Sequence, residues 1–143
     1  MAASRITHLI TSCTKGKHSQ CGSMPELSIR SGQTPEEAMS SWAATIKRSQ
    51  SASPVPALSL YAGNHWSTAK EILRTTENLE LWVISAGLGF LNSRDLVDAY
   101  EATFHDLPFS HRQWWRELTN TFGKERTAKS IETLMAARPF DDY

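Results

Sequence analysis

The architecture of this chain follows from residues Leu81 to Phe104, which have the sequence LWVISAGLGFLNSRDLVDAYEATF. The first five, Leu81 to Ser85, are apolar and partly β-branched, and the run is too short for a helix, so we predict a strand that is buried on both faces. Two glycines follow, Gly87 and Gly89, and they permit a tight turn or the close approach of a ligand. Ligands of open α/β sheets bind where strands end. We therefore predict that the working site lies here.

Three carboxylates follow the glycine turn at intervals of three residues: Asp95, Asp98 and Glu101. If this segment is helical, they share one face. Paired acids work as general base and general acid once burial separates their pKa values. The neighbouring Tyr100 and Thr103 supply hydrogen-bonding groups for a ligand pocket. The alternative is an acidic helix face in contact with solvent, and the pattern leaves both open.

The segments on either side predict one α/β domain over residues 1–143. Residues 5–12 and 57–61 have the pattern of strands. Thr34-Pro35-Glu36-Glu37 is a capping box with proline at the first helical position, so a helix is expected to continue to about Ser49. Further helices are expected over residues 65–74, from a Ser110 cap to Gly123, and over residues 124–137. Pro139 to Tyr143 has the composition of an approach to one more strand, which the sequence does not continue.

Apolar residues at helical spacing predict which helix faces are buried. On the first helix, Trp42 is expected in the core. On the last helix, Ile131, Leu134 and Met135 are expected to face inward. Because tryptophan also stacks on flat ligands, the five tryptophans of the chain are candidates for either role.

Composition excludes several classes of protein. The chain has 143 residues, and its fifteen basic residues balance fifteen acidic ones, so no overall positive field favours nucleic acid, although local patches remain open. There is no apolar run long enough to span a membrane and no apolar core of a signal peptide at the amino terminus. Two cysteines are too few for a disulfide framework. We predict a cytoplasmic protein that requires no cofactor.

The loop after the first predicted strand is a candidate anion site. It contains Lys15, Gly16 and Lys17, and lysine charge and free backbone N–H groups both attract phosphates. Only Gly16-Lys17 matches the Walker pattern, which needs a second glycine at fixed spacing. A solvated loop is the alternative.

Cysteine and histidine in the same region allow two further interpretations. Cys13, His18 and Cys21, with His8 as a fourth ligand, supply the donor types that zinc prefers, but their spacing matches no common zinc module. Cys13 is also a candidate nucleophile, because the nearby lysines would lower its pKa. Unpaired loop residues are the default, and our prediction is that no metal is bound.

A basic edge is predicted near the carboxyl terminus. Arg112 and Arg116 lie four residues apart on the helix that carries Trp114, and Lys124 and Arg126 follow. Tryptophan interleaved with arginine is typical of nucleic-acid grooves. The alternative is a helix with one buried tryptophan and solvated arginines.

Three motifs, in this order, resemble those of the YaaA peroxide-stress family and its relatives of unknown function. Ser12-Cys13-Thr14-Lys15 resembles the family's Ser-Pro-x-Lys loop, with cysteine in place of proline. Tyr61-Ala62-Gly63-Asn64 resembles its Tyr/Phe-x-Gly-Asp element, with asparagine in place of the acid. The residues from Ile84 to Tyr100 resemble its long signature, and Ser85, Gly89, Leu91, Asp95, Leu96 and Tyr100 fall at the family's spacing.

The resemblance covers residues 5–104 in patches and implies a YaaA-like mixed sheet flanked by helices. The family is longer, with further strands and a DNA-associated helix-hairpin-helix, so a carboxyl-terminal part is expected to be missing or supplied by a partner. Relatives are linked to DNA protection under oxidative stress and to 7-deazaguanine DNA modification. The resemblance therefore implies a nucleobase, nucleotide or DNA ligand, and a role in stress response or defence.

The resemblance also implies roles for particular residues. Lys15 would neutralise a phosphate or oxyanion, Asp95 would be an acid/base or base-reading carboxylate, and Tyr100 would orient the ligand. Ligand contacts are expected from Ser12, Tyr61, Gly63, Asn64, Ser85, Gly87 and Gly89.

A different class of function remains open. An uncovered sheet edge recruits another strand readily, and tryptophan and arginine are frequent anchors of interfaces. The chain would then be a non-catalytic interaction module that completes its fold with a partner chain or with a second copy of itself.

Overall fold

The computed structural model describes residues 5–13, 25–50, 53–105, 107–123 and 126–143. Within these ranges the strands are β1 (Thr7–Ser12), β2 (Val55–Pro56), β3 (Leu79–Ser85), β4 (Gly89–Asn92) and β5 (Leu96–Val97). The helices are α1 (Pro35–Arg48), α2 (Ala57–Leu60), α3 (Asn64–Thr75), α4 (His111–Phe122) and α5 (Ile131–Ala137). None of these helices has the length and apolar character needed to cross a membrane.

The main sheet has three strands in the order β1-β3-β4, with β3 in the centre. Strand β1 runs parallel to β3, with Thr7 opposite Leu79, and β4 runs antiparallel to β3, with Gly89 opposite Ser85. Leu81 and Val83 of β3 are fully buried. The predicted buried central strand is therefore confirmed, and the protein is a small mixed α/β protein.

Capping boxes start two of the helices. The Thr34 hydroxyl accepts a hydrogen bond from the Glu37 amide at the start of α1, as the sequence predicts. Ser110 and Gln113 form the same arrangement at the start of α4. Helix α1 packs against α4, and α4 packs against β4. The predicted burial of Trp42 is confirmed, because only 3% of its surface is exposed.

The prediction of a strand over residues 57–61 is wrong. Residues Ala57–Leu60 form the single helical turn α2, and the strand β2 before it has only two residues. The amides of Ala57 and Leu58 donate to the carbonyls of Asp95 and Ser93 rather than to a neighbouring strand. A short apolar run fits either structure, so periodicity could not decide between them.

The segment after the glycine turn is not a helix. It forms a hairpin, in which β4 returns along β3, and then the two-residue strand β5, which pairs with β2. Asp95, Asp98 and Glu101 therefore do not share a helix face. The amide and carbonyl of Glu101 instead bond to Pro25 and Leu27.

The carboxyl-terminal region also differs from the prediction. Helix α5 begins only at Ile131. Its buried residue is Leu134, whereas Met135, which was expected to face inward, is 47% exposed. The last residues do reach the sheet: Asp142 forms a parallel bridge with Thr7 on the outer side of β1. The segment therefore approaches β1 through one isolated bridge and forms no strand of its own within the described residues, as the sequence predicts.

Candidate functional site

Three hydroxyl groups meet at the carboxyl end of β3. The Tyr100 hydroxyl is hydrogen-bonded to the hydroxyls of Ser85 and Tyr61, and the two tyrosine oxygens are 2.6 Å apart. All three residues are fully buried. The structure therefore brings together three residues that the sequence placed in one site, although they lie on separate segments.

Ser85 also holds the glycine turn. Its Oγ accepts hydrogen bonds from the amides of Gly87, at 3.3 Å, and Leu88, at 3.0 Å. A Cβ added to Gly87 would lie 2.6 Å from Cδ2 of Tyr100, so this glycine is needed for close packing. Gly89 has a φ of +87°, which favours glycine at the start of β4.

Two tryptophans fix the turn from outside the sheet. The indole N–H of Trp42 on α1 donates to the Gly87 carbonyl at 2.6 Å, and that of Trp114 on α4 donates to the Ala86 carbonyl at 2.8 Å. Because buried carbonyls need partners, these bonds explain why both indoles point at the turn. They are core residues that position the site, and not exposed stacking platforms.

Burial keeps the two tyrosines neutral. Desolvation raises the pKa of Tyr100 and of Tyr61 well above the usual value, and this effect is larger than those of the neighbouring hydroxyls. An ionised Cys13 would raise both pKa values further, because its thiol lies near the tyrosines at the end of β1. At neutral pH both phenols therefore carry a proton that they can donate.

Asp95 organises a tight turn rather than standing free. Its Oδ2 accepts a hydrogen bond from the Asn92 amide and its Oδ1 accepts one from the Thr127 hydroxyl, both at 2.8 Å. The Asp95 carbonyl accepts from the Ala57 amide. This one residue therefore connects the end of β4, the start of α2 and the segment that precedes α5.

A cleft of about 840 Å³ opens beside this turn. Its charged lining residues are Lys47, Arg94, Asp95, Asp98 and Arg126, and its apolar lining includes Ile46, Leu88, Val97 and Phe122. Its volume is in the range of small-molecule sites. Two of the three predicted carboxylates thus come together here, whereas Glu101 and the three hydroxyl residues do not line the cleft.

Arg126 is the residue of the cleft that sequence reasoning missed. Its Nη1 atom is buried and has no hydrogen-bond partner among the described residues. Burial lowers the pKa of Arg126, and the nearby charge of Asp95 opposes that shift. The sequence placed Arg126 in a basic edge, and no local pattern there predicts an inward guanidinium.

Arg94, which precedes Asp95 in the chain and also lines the cleft, is already paired. Its Nη2 atom lies 3.0 Å from Oε1 of Glu80. Arg126 has no carboxylate partner of this kind within the described part of the chain. The two arginines of the cleft therefore differ: Arg94 is paired with a carboxylate, and Arg126 has no such partner among the described residues.

The other predicted ligand contacts lie apart from the cleft. Ser12 is exposed at the end of β1. Gly63 adopts a φ of +104° at the start of α3, and Asn64 is the exposed first residue of that helix. Lys15 lies outside the described residues. Their predicted roles stay predictions.

The zinc interpretation can be examined at two of its four candidate ligands, His8 and Cys13. His8 is buried, accepts a hydrogen bond from the Trp82 indole on Nδ1 and lies 3.2 Å from Asp141 through Nε2. Both ring nitrogens are therefore engaged. Cys13 is described and half-buried, whereas His18 and Cys21 lie outside the described residues. The described part of the chain contains no group of three metal-ligating side chains.

The chain is thus a small mixed α/β protein with a cleft beside its central hairpin. The model of a family of unknown function, DUF6884, matches residues 43–138, about two thirds of the chain, so the chain belongs to this family. No curated protein and no solved structure matches it. The matched range contains all the charged residues of the cleft but not β1.

Proposed function

We propose that the cleft binds a nucleobase or nucleotide, free or within DNA. The observation that carries this proposal is the buried Arg126 Nη1, which has no partner in the described structure. A buried cationic donor without a partner is costly, and an anionic group such as a phosphate would satisfy it. Lys47 lines the same cleft and would add a second positive charge.

The remaining lining fits the other parts of a nucleotide. Leu88, Val97 and Phe122 offer apolar and aromatic surface for a base. Carboxylates accept hydrogen bonds from base amino groups or sugar hydroxyls, and Asp98 also lines the cleft. A cation, an apolar wall and a carboxylate in one cleft favour a nucleotide over a simple inorganic anion.

The YaaA-like motifs support the same class of ligand. Asp95 lines the cleft, and the resemblance implies a base-reading carboxylate at this position. Tyr100 is enclosed in the hydroxyl cluster and does not line the cleft, so its predicted role in orienting the ligand would be exerted through the glycine turn. Participation in DNA modification, protection or defence, with Asp95 as the catalytic residue at the cleft and Lys15 as a predicted second one, is part of this proposal.

Calorimetric titration with nucleobases, nucleoside monophosphates and inorganic phosphate tests the proposal. We expect at least one monophosphate to bind, and Arg126→Gln to weaken it by about 10- to 150-fold, because a hydrogen bond to a charged group contributes about 1.5–3 kcal/mol. Arg126→Lys should retain part of the affinity. Arg30→Gln is the matched control, because Arg30 is exposed and does not line the cleft.

Two outcomes contradict the proposal. One is that no nucleobase or nucleotide binds to the folded protein. The other is that binding occurs but Arg126→Gln and Arg30→Gln affect it equally, which would place the ligand elsewhere.

A second candidate function is the interaction module. Phe140 is 82% exposed and Met135 is 47% exposed, and large apolar side chains of this kind are common at interfaces. Size-exclusion chromatography with light scattering tests this alternative. Self-association that is lost in Phe140→Ser/Met135→Ser would support it, whereas a monomer at all concentrations would count against a homo-oligomer.

A further inference from the structure

A second groove, of about 340 Å³, lies between α4 and the start of α5. On α4 it is lined by Arg112, Trp115, Arg116 and Thr119. On the other side it is lined by Lys129, Ser130, Glu132 and Thr133. None of these residues lines the cleft described above. The groove is therefore a separate feature of the surface.

The groove carries an excess of positive charge. Three cations, Arg112, Arg116 and Lys129, share it with one carboxylate, Glu132, in a chain whose formal net charge is zero. In the described part of the chain none of the three cations forms an ion pair. Four other arginines form ion pairs with carboxylates: these are Arg5, Arg74, Arg94 and Arg138.

An unpaired hydroxyl adds a second, independent observation. Thr119 Oγ1 is buried, and it has no hydrogen-bond partner among the described residues. Buried polar groups are nearly always paired, so an unpaired one in a groove indicates a missing acceptor or donor. The Ser130 and Thr133 hydroxyls on the facing side are hydrogen-bonded to each other at 3.0 Å, which leaves one of their two protons for a ligand. Cations and hydroxyls together are the donors that contact phosphate oxygens.

We propose that this groove binds the phosphates of a single-stranded nucleic acid. Arg112 and Arg116 are one helical turn apart, about 6 Å between their Cβ atoms, so they can contact neighbouring groups of an extended polyanion. Lys129 faces them across the groove. The half-buried Trp115 between the arginines offers an aromatic surface for a base.

This inference goes beyond the function proposed for the cleft and stands without it. A mononucleotide in the cleft needs none of the groove residues. A strand in the groove needs neither Arg126 nor Asp95. The two sites share the segment from Arg126 to Ser130, which runs from one to the other.

Fluorescence anisotropy with a labelled oligothymidine of about twelve nucleotides tests the inference, since non-specific strands occupy sites of about this size. Three phosphate contacts predict a slope of log affinity against log salt of about −2 for a single strand. Arg112→Gln/Arg116→Gln should lower the affinity at least about tenfold and reduce the slope to about −0.7, the value for one contact. Circular dichroism would establish that the variant is folded.

The double variant Arg30→Gln/Arg48→Gln is the matched control, because it removes the same charge at exposed positions outside both cavities that form no ion pair among the described residues. It should bind as the wild type does. Equal loss in both double variants, no loss in the groove variant, or no binding of the oligonucleotide by the wild type would each overturn the inference. Equal affinity for a duplex of the same length would also overturn it, because the groove would then not select a single strand.

Failure of this inference is distinguishable from failure of the proposed function. If Arg126→Gln weakens mononucleotide binding but not oligonucleotide binding, and the groove variant weakens oligonucleotide binding, both stand. If the groove variant binds the oligonucleotide unchanged while Arg126→Gln weakens mononucleotide binding, only the groove assignment is wrong.

Discussion

Gly87 and Tyr100 show why the turn after β3 cannot be interpreted from its glycines alone. Two glycines at a strand end are compatible with ligand approach or with close packing, and the sequence left both open. The structure places the Tyr100 ring where a Cβ on residue 87 would stand. The contact joins residues thirteen positions apart through a hairpin that the sequence did not predict. Position 87 therefore requires glycine for packing.

We expect Gly87→Ala to destabilise the protein by about 1–3 kcal/mol, because the added methyl group overpacks a filled core. Urea denaturation measures the change. The same substitution in a Tyr100→Leu background should cost less, since the ring that the methyl group meets is gone. Equal costs in the two backgrounds would show that the Tyr100 ring is not what excludes a side chain at position 87.

The hydroxyl cluster is a case in which sequence reasoning found the residues but not their arrangement. Ser85, Tyr61 and Tyr100 were expected in one site, and the structure brings their oxygens together. What the sequence could not give is their burial, because the fraction exposed depends on α1 and α4 closing over the turn. Arg126 was missed because its burial, too, depends on the tertiary structure and not on its neighbours in sequence.

Local signals predicted some elements well and others poorly. The helices that begin with a capping box, α1 and α4, start where the sequence places them, because a cap is a contact between neighbours. The helical turn α2 was not predicted, because its amides bond to the Asp95 turn almost forty residues away. The pairing of Asp142 with β1 joins the two ends of the chain and leaves no local pattern.

That terminal segment is held to β1 by a network around Asp141. The Asp141 carboxylate bonds to the Arg138 guanidinium, to the Ile6 amide at 3.2 Å and to Nε2 of His8 at 3.2 Å. The Tyr143 ring stacks on His8 with centroids 4.6 Å apart. The hydrogen bond from Arg138, with those from Ile6 and His8, lowers the pKa of Asp141 from 3.8 to about 2.

Because the folded pKa of Asp141 is depressed, its contribution to stability is complete above about pH 4 and is lost as the pH falls towards 2. When it unfolds near pH 3, the wild type should bind up to about one proton more than Asp141→Asn binds. Urea midpoints measured from pH 5 to about 2 test this. In Asp142→Asn, which changes an exposed carboxylate paired with Arg5, the wild-type dependence should persist. If the free energy of unfolding of Asp141→Asn depends on pH as that of the wild type does, Asp141 is not the group that titrates.

The cleft depends on the whole molecule, because its walls come from segments far apart in the sequence. Lys47 belongs to α1, Asp95 to the turn after β4 and Arg126 to the segment before α5. The coarse α/β class followed from the buried strand and the helices around it. The cleft could not be predicted, since contacts between distant segments form it, among them the hydrogen bond that the Thr127 hydroxyl donates to Asp95.

That hydrogen bond should therefore control the cleft without controlling the fold. We expect Thr127→Val, which keeps the shape but removes the donor, to cost only about 0.5–1.5 kcal/mol in stability. Amide hydrogen exchange should accelerate in residues 126–137, because local opening follows the loss of tertiary contacts, while β3 stays protected. The affinity for nucleotide should also fall in Thr127→Val, because Arg126 belongs to the segment that opens. The control is Thr75→Val, which removes a hydroxyl bonded only within α3. If exchange in residues 126–137 matches that of the control, Asp95 does not hold the cleft together.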